Sequence, residues 1–189
     1  MPGKLSPEDK ILIEDFRESK ILDNVDTHKI EQDNGVILVS CADGDQMPDL
    51  FGHLEKIIVA SGRPRRIHTL ALNGGPLLLA PTSPLNMELH EDWTLLQHIA
   101  VARQLKEINT VILCAHAPCG AAGMFHLNFF QVIRYLIEAK TLLKKSYTDI
   151  KVACYCHIDY GEEKRRTHFV SRERFENWQK ANLKQPQRD

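Results

Sequence analysis

The feature that most constrains this chain is a set of short, unbroken apolar runs. Val36-Ile37-Leu38-Val39-Ser40-Cys41 carries no charge and no polar alternation, and Thr110-Val111-Ile112-Leu113-Cys114-Ala115 has the same character. Such runs are too short to span a membrane, and they lack the alternation of a strand with one wet face. They predict strands covered on both sides. Ile67 to Leu72 and Ile150 to Ile158 read the same way. Between them the period changes to that of a helix. Leu50, Leu54, Ile57 and Ile58 recur from Pro48 to about Ala60, and between Met87 and Glu107 a stripe of Leu89, Trp93, Leu96 and Ala100, with Leu95, Ile99 and Ala102 alongside it, is expected to face the core. Phe125, Phe129, Ile133, Leu136 and Ile137 mark one long helix from Gly120 to about Lys145. Ser6-Pro7-Glu8-Asp9 has the cap, the proline and the acidic first turn of a helix running to about Ser19, and Ser171 to Leu183 predicts a final one. Leu77 to Asn86 has prolines and no period, and is expected to be a loop lying over the domain. Strands alternating with helices define an α/β domain with a mainly parallel sheet of four to five strands flanked by helices.

A chain of 189 residues with 43% hydrophobic side chains buries a core without disulfide staples. One domain, residues 1–189, is expected, with an N-terminal helical arm (1–30), an α/β core (31–162) and a C-terminal helix and tail (163–189). The charge balance is nearly even, 24 Lys plus Arg against 25 Asp plus Glu. Nucleic-acid and acidic-membrane partners need a large basic surplus, so both are excluded as expected partners. Arg63, Arg65 and Arg66, and Lys164, Arg165 and Arg166, are read as solvated surface. Met1 to Lys10 lacks the apolar core of a secretion signal, and the expected location is the cytoplasm. Five cysteines, an odd number, then predict thiols and not a disulfide framework.

In parallel sheets the ligand sits beyond the carboxyl ends of the strands. The loops there carry Cys41, Asp43 and Asp45 after the first strand, and His116 and Cys119 after the third. Two thiolates and an imidazole suit Zn²⁺ in a tetrahedral site, with Asp43 available as a fourth ligand. The helix expected to follow Cys119 lowers its thiol pKa through free N–H groups. Cys114, Cys154 and Cys156 are read as packing, because the Cys154-Tyr155-Cys156-His157 run alternates along one apolar strand. From the residues alone, a zinc centre, plain core packing and a metal-free reactive thiol all remain open for Cys41, His116 and Cys119.

Cys41-Ala42-Asp43, paired with His116-Ala117-Pro118-Cys119-Gly120, resembles the Cys-x-Asp-x-Arg and His-x-x-Cys-Gly motifs of the β-class carbonic anhydrases. Leu72-Asn73-Gly74-Gly75 is similar to the family's Asn-Ala-Gly turn, Leu96 to Val111 to its helix leading into the third strand, and Asp159-Tyr160-Gly161 to its closing strand and turn. The resemblance covers roughly residues 30 to 162. It implies a β-carbonic-anhydrase-like fold in which Cys41, His116 and Cys119 bind zinc and Asp43 is the carboxylate beside the metal. It also implies a homodimer or higher homo-oligomer, and a small-molecule substrate. The implied reaction is reversible hydration of CO2 to bicarbonate by a zinc-bound hydroxide, with backbone at Gly120 shaping a small pocket. COS and CS2 are related substrates.

The chain departs from the motif where the family has arginine, two places after the aspartate; here it is Asp45. That arginine holds the carboxylate away from zinc. Asp45 accepts hydrogen bonds where a planar cation is needed, and it repels Asp43. Three arrangements follow. Asp43 closes the zinc shell and hydration activity is lost; or Arg63, Arg65 or Arg66 reaches in and restores the clamp; or Asp43 and Asp45 share a proton and serve other hydrolytic chemistry.

Overall fold

A computed structural model describes residues 4–25, 35–58, 66–86 and 90–182. The helices are α1 (Pro7–Glu18), α2 (Met47–Ile58), α3 (Glu91–Lys106), α4 (Gly120–Met124), α5 (Phe129–Ser146) and α6 (Arg172–Asn182). The strands are β1 (Leu22–Asp23), β2 (Val36–Cys41), β3 (Ile67–Leu72), β4 (Thr110–Ala117), β5 (Lys151–Asp159) and β6 (Arg165–Val170).

All six residues of β2 and all eight of β4 are buried, as unbroken apolar runs require. They pair in parallel, with Ile37 beside Val111 and Ser40 beside Cys114. The single sheet has the order β1-β6-β5-β4-β2-β3. Its centre, β3 through β5, is parallel, so the mainly parallel α/β expectation holds. The sheet is wider than four to five strands because β6 and β1 add antiparallel at one edge. β6 escapes a reading by composition because it opens on Arg165-Arg166, both exposed.

The two faces differ. Ile37, Val39, Val111, Leu113, Cys154 and Cys156 point to the side covered by α1, α3, α5 and α6. Val36, Leu38, Ile112, Cys114 and Tyr155 point to the side covered by α2, through Leu50 and Leu54. β2 leads into α2 on one face and β4 leads into α4 and α5 on the other. The connections therefore diverge between these neighbouring strands, and a crevice forms at their carboxyl ends.

Several local expectations are corrected. Of the loop expected over residues 77–86, residues 80–86 are irregular as expected, but 77–79 are not loop. Gly75–Leu79 is a 3-10 helix inside the domain, with Leu77, Leu78 and Leu79 all buried. Three leucines at about 2 kcal/mol each outweigh the local signal of flanking prolines. In α3 the expected Leu95, Ile99 and Ala102 are buried and Leu96 packs partly against the core, but Trp93 is 66% exposed. Leu89 lies outside the described residues. The helix predicted from Gly120 to Lys145 is two helices. His126 has φ 52 between them, and Asn128 starts α5 with a capping box to Gln131. Arg63, Arg65 and the tail beyond residue 182 also lie outside the described residues.

Candidate metal centre

Cys41 is the last residue of β2, and Ala42 extends the pairing by donating to the Leu72 carbonyl at 3.1 Å. The chain then turns sharply. Asp43 Oδ1 accepts from the Asp45 amide at 3.0 Å, and the Asp43 carbonyl accepts from Gln46 and Met47, so this aspartate also starts α2. Its other oxygen, Oδ2, lies 3.8 Å from His116 Nε2. His116 arrives one strand away, near the end of β4, and is 5% exposed. Cys119 follows at the cap position of α4, partly buried.

The structure thus brings together the three side chains that the sequence placed on two loops. One ligand atom from each of Cys41, His116 and Cys119 lies within 4.8 Å of the others. That spacing is close to what three ligands of one zinc ion would need, so Cys41, His116 and Cys119 could hold such an ion together, with a fourth position left over. Both ring nitrogens of His116 are buried without a hydrogen-bond partner, and a metal would satisfy one of them. Two sulfurs and an imidazole are the donor set zinc favours, and the residues fit that ion.

The two sulfurs are coupled, so that the charged form is favoured at one and opposed at the other. The Cys119 thiol hydrogen-bonds to Cys41 and drives its pKa well below the ordinary thiol value, against the opposing effect of burial, with His116 and the Gly74 amide also helping. The same contact pushes the Cys119 pKa up, and burial adds to it. The amides of Ala122 and Ala121 favour the Cys119 thiolate, as expected of a helix start, but they are outweighed by Cys41. The expected lowering at Cys119 is therefore found at Cys41. A dication held between the two sulfurs would favour the thiolate at both.

Of the other sequence candidates, Gly120 opens α4 beside the cluster, and a Cβ added there would meet nothing within 4 Å. Asp45 is exposed and turns its backbone toward Asp43. The cation near this loop is Arg165, which sequence reasoning left on the surface. Its Nη1 donates to the Asp45 carbonyl at 3.1 Å and to Asp49 Oδ2 at 2.9 Å, and its Nε donates to Asp159 Oδ2 at 2.9 Å. Arg66 stands at the opposite end of β3, donating to the Lys106 carbonyl, and does not clamp Asp43. Among the described residues no guanidinium is bonded to Asp43. Cys114, Cys154 and Cys156 are buried, with burial raising each thiol pKa.

Two supports were not read from the sequence. The Gly74 amide donates to Cys41 Sγ at 3.3 Å. Gly75, at φ +53, packs so closely that a Cβ would stand 2.4 Å from the Cys41 nitrogen. The double glycine was the available signal, but its contact with Cys41 is a matter of tertiary structure. A cavity of about 470 Å³ opens from His116, Cys119 and Gly120 toward Leu127, Phe129 and Val132, with Leu5 closing one side.

No family model matches the chain, and no curated protein matches it. Among solved structures it is similar to a carbonic anhydrase from Streptococcus mutans, at 15% identity and a TM-score of 0.46, over 89% of this chain and 100% of that one. No helix among the described residues is long and apolar enough to cross a membrane.

Proposed function

We propose that this protein is a zinc-dependent, carbonic-anhydrase-like enzyme that hydrates CO2 reversibly to bicarbonate. The observation that carries the reading is the convergence of Cys41, His116 and Cys119 at the carboxyl ends of two adjoining parallel strands. It is joined by the resemblance of both motifs to those of β-class enzymes. Zinc held there acidifies water and so supplies a nucleophile at neutral pH. The chain's residues do the rest. Cys41 and Cys119 neutralise the ion, since two thiolates and a neutral imidazole bring the total charge to zero. The Asp45 amide fixes one oxygen of Asp43, leaving Oδ2 beside His116 to accept the hydrogen bond that orients the attacking water. Leu127, Phe129 and Val132 wall the adjoining cavity with the apolar surface that CO2 prefers. Gly120 leaves that cavity room.

A second reading is favoured by the missing clamp. With no guanidinium holding it among the described residues, Asp43 is free to become the fourth ligand, which gives a zinc protein without hydration activity. Metal analysis and stopped-flow CO2 hydration test both readings. Zinc at about one per chain with measurable hydration supports the enzyme. Zinc without hydration, switched on in Asp45→Arg, supports the closed shell. Protein purified without chelators that holds no zinc overturns both readings. COS and CS2 belong in the same assay. The small-molecule site, a cytoplasmic location and a homodimer belong to this proposal. Among the described residues no further strand pairs with β3, whose Leu72 is exposed; this edge is the surface proposed for a second copy, and sedimentation measures it.

A further inference from the structure

A second cleft, about 610 Å³, opens on the other face of the sheet, between α2 and the β5–β6 pair. Three features of its lining lack an explanation in the fold. His157 of β5 is 3% exposed, and its Nε2 has no hydrogen-bond partner although its Nδ1 meets Thr167 Oγ1 at 2.9 Å. His53 of α2 lines the same cleft and also has a buried Nε2 without a partner. Buried polar atoms are rarely left unpaired, and two on residues that line one cleft point to a shared ligand. Gly52, one residue before His53, sits inside a helix where glycine is unfavourable. No packing demands it, because a Cβ there would meet nothing within 4 Å. It leaves the wall bare.

The charges of the lining indicate the ligand. The lining carries three cations, Lys56, Arg165 and Arg166, against two carboxylates, Asp49 and Glu163, and Arg165 is tied to Asp49 and, outside the lining, to Asp159. Lys56 and Arg166 remain against Glu163, with Arg166 Nη2 donating to Asn24 Oδ1 at 2.6 Å. Burial holds both histidines below their ordinary pKa, His53 with the help of Lys56, so each is neutral and keeps one N–H to give. In the tautomer where the Thr167 hydroxyl donates to His157 Nδ1, Nε2 is that donor. A metal ion suits the cleft less well, since among the described residues Cys41, His116 and Cys119 are the one group of three placed to hold one.

We propose that this cleft binds a small oxyanion, free phosphate or the phosphate of a monoester, through His53, His157, Lys56 and Arg166. The site is separate from the metal centre and does not require it. The test follows histidine ring nitrogens by NMR in the full-length, zinc-loaded protein during titration with inorganic phosphate and with phenyl phosphate, using chloride as the control. Saturable shifts at His53 and His157, absent at His68 and with chloride, are expected. Tighter binding of phenyl phosphate assigns the site to a monoester, and equal or weaker binding assigns it to the free ion. His53→Gln removes one donor, and Gly52→Leu places a side chain in the open space without disturbing a buried contact. Each is expected to weaken binding tenfold or more. The proposal is overturned by an absence of saturable shifts, by unchanged affinity in both variants, or by a second zinc equivalent producing the shifts in place of phosphate.

Discussion

The opposite pull on Cys41 and Cys119 sets the chemistry of the centre, because a bound cation would favour the thiolate at both sulfurs together. Zinc binding should therefore stabilise the fold. At free zinc a hundredfold above Kd the gain is about 2.7 kcal/mol, which for a chain of this size raises Tm by roughly 5–10 °C. Scanning calorimetry with and without a chelator measures that shift. Cys119→Ser is expected to abolish both the shift and stoichiometric zinc. Cys154→Ser, whose sulfur lies 3.7 Å from the Leu136 carbonyl within the core, should lose about 1–3 kcal/mol of stability while keeping its zinc. The opposite pattern would overturn the ligand assignment. Cys41, His116 and Cys119 were legible in the sequence because each lies at the end of a strand or in the loop beyond it, where parallel sheets gather ligands. Arg165 was not, because its contact with Asp45 joins positions 120 residues apart and no local pattern marks it.

Elements matter here as braces. The turn after β3 approaches β2 so closely that Gly75 leaves no room for a side chain, while Gly74 donates to the Cys41 sulfur. Gly75→Ala must move either the turn or the end of β2. It is expected to cost about 2–3 kcal/mol and to weaken zinc binding at least tenfold. Gly120→Ala, with open space around it, should keep both zinc and stability. Urea unfolding and chelator competition on the two variants provide the comparison, and equal behaviour would remove the turn from the account of the site. The same region shows why some elements were misread. Leu77, Leu78 and Leu79 sit between prolines and carry no period, yet a 3-10 helix buries all three against α5 and β4. The split between α4 and α5 depends on His126 entering the left-handed region, which an apolar stripe running from Phe125 to Ile137 conceals. Periodicity identified β2, β4 and β5 because burial on both faces leaves no other reading. It failed where tertiary contacts override local preference.

Across the whole molecule, an almost balanced net charge conceals histidines whose burial opposes protonation. His168 is 2% exposed, with Nε2 at 2.9 Å from the Tyr160 hydroxyl, and burial, aided by Arg166 and Arg17, pushes its pKa down from 6.5 to about 4. His53 and His157 are shifted in the same direction. A base with a folded pKa below its unfolded value takes up a proton in the unfolded chain first. Its contribution is fully present above pH 6.5, declines as the pH falls toward 4, and is gone below that. For His168 alone the full loss is at most about 3 kcal/mol, reached over that window. Zinc release in acid destabilises the protein over an overlapping range, so the acid slope of the parent alone does not isolate the histidine. The difference between parent and His168→Gln does, because both lose zinc alike while glutamine cannot titrate. Urea unfolding from pH 7.5 to 4 should show the variant less stable by a constant amount at neutral pH. The gap should then narrow by about 1.4 kcal/mol per pH unit at its steepest. A gap that stays constant to pH 4 would mean that His168 is protonated in the folded protein, and that the Tyr160 contact accommodates the charge.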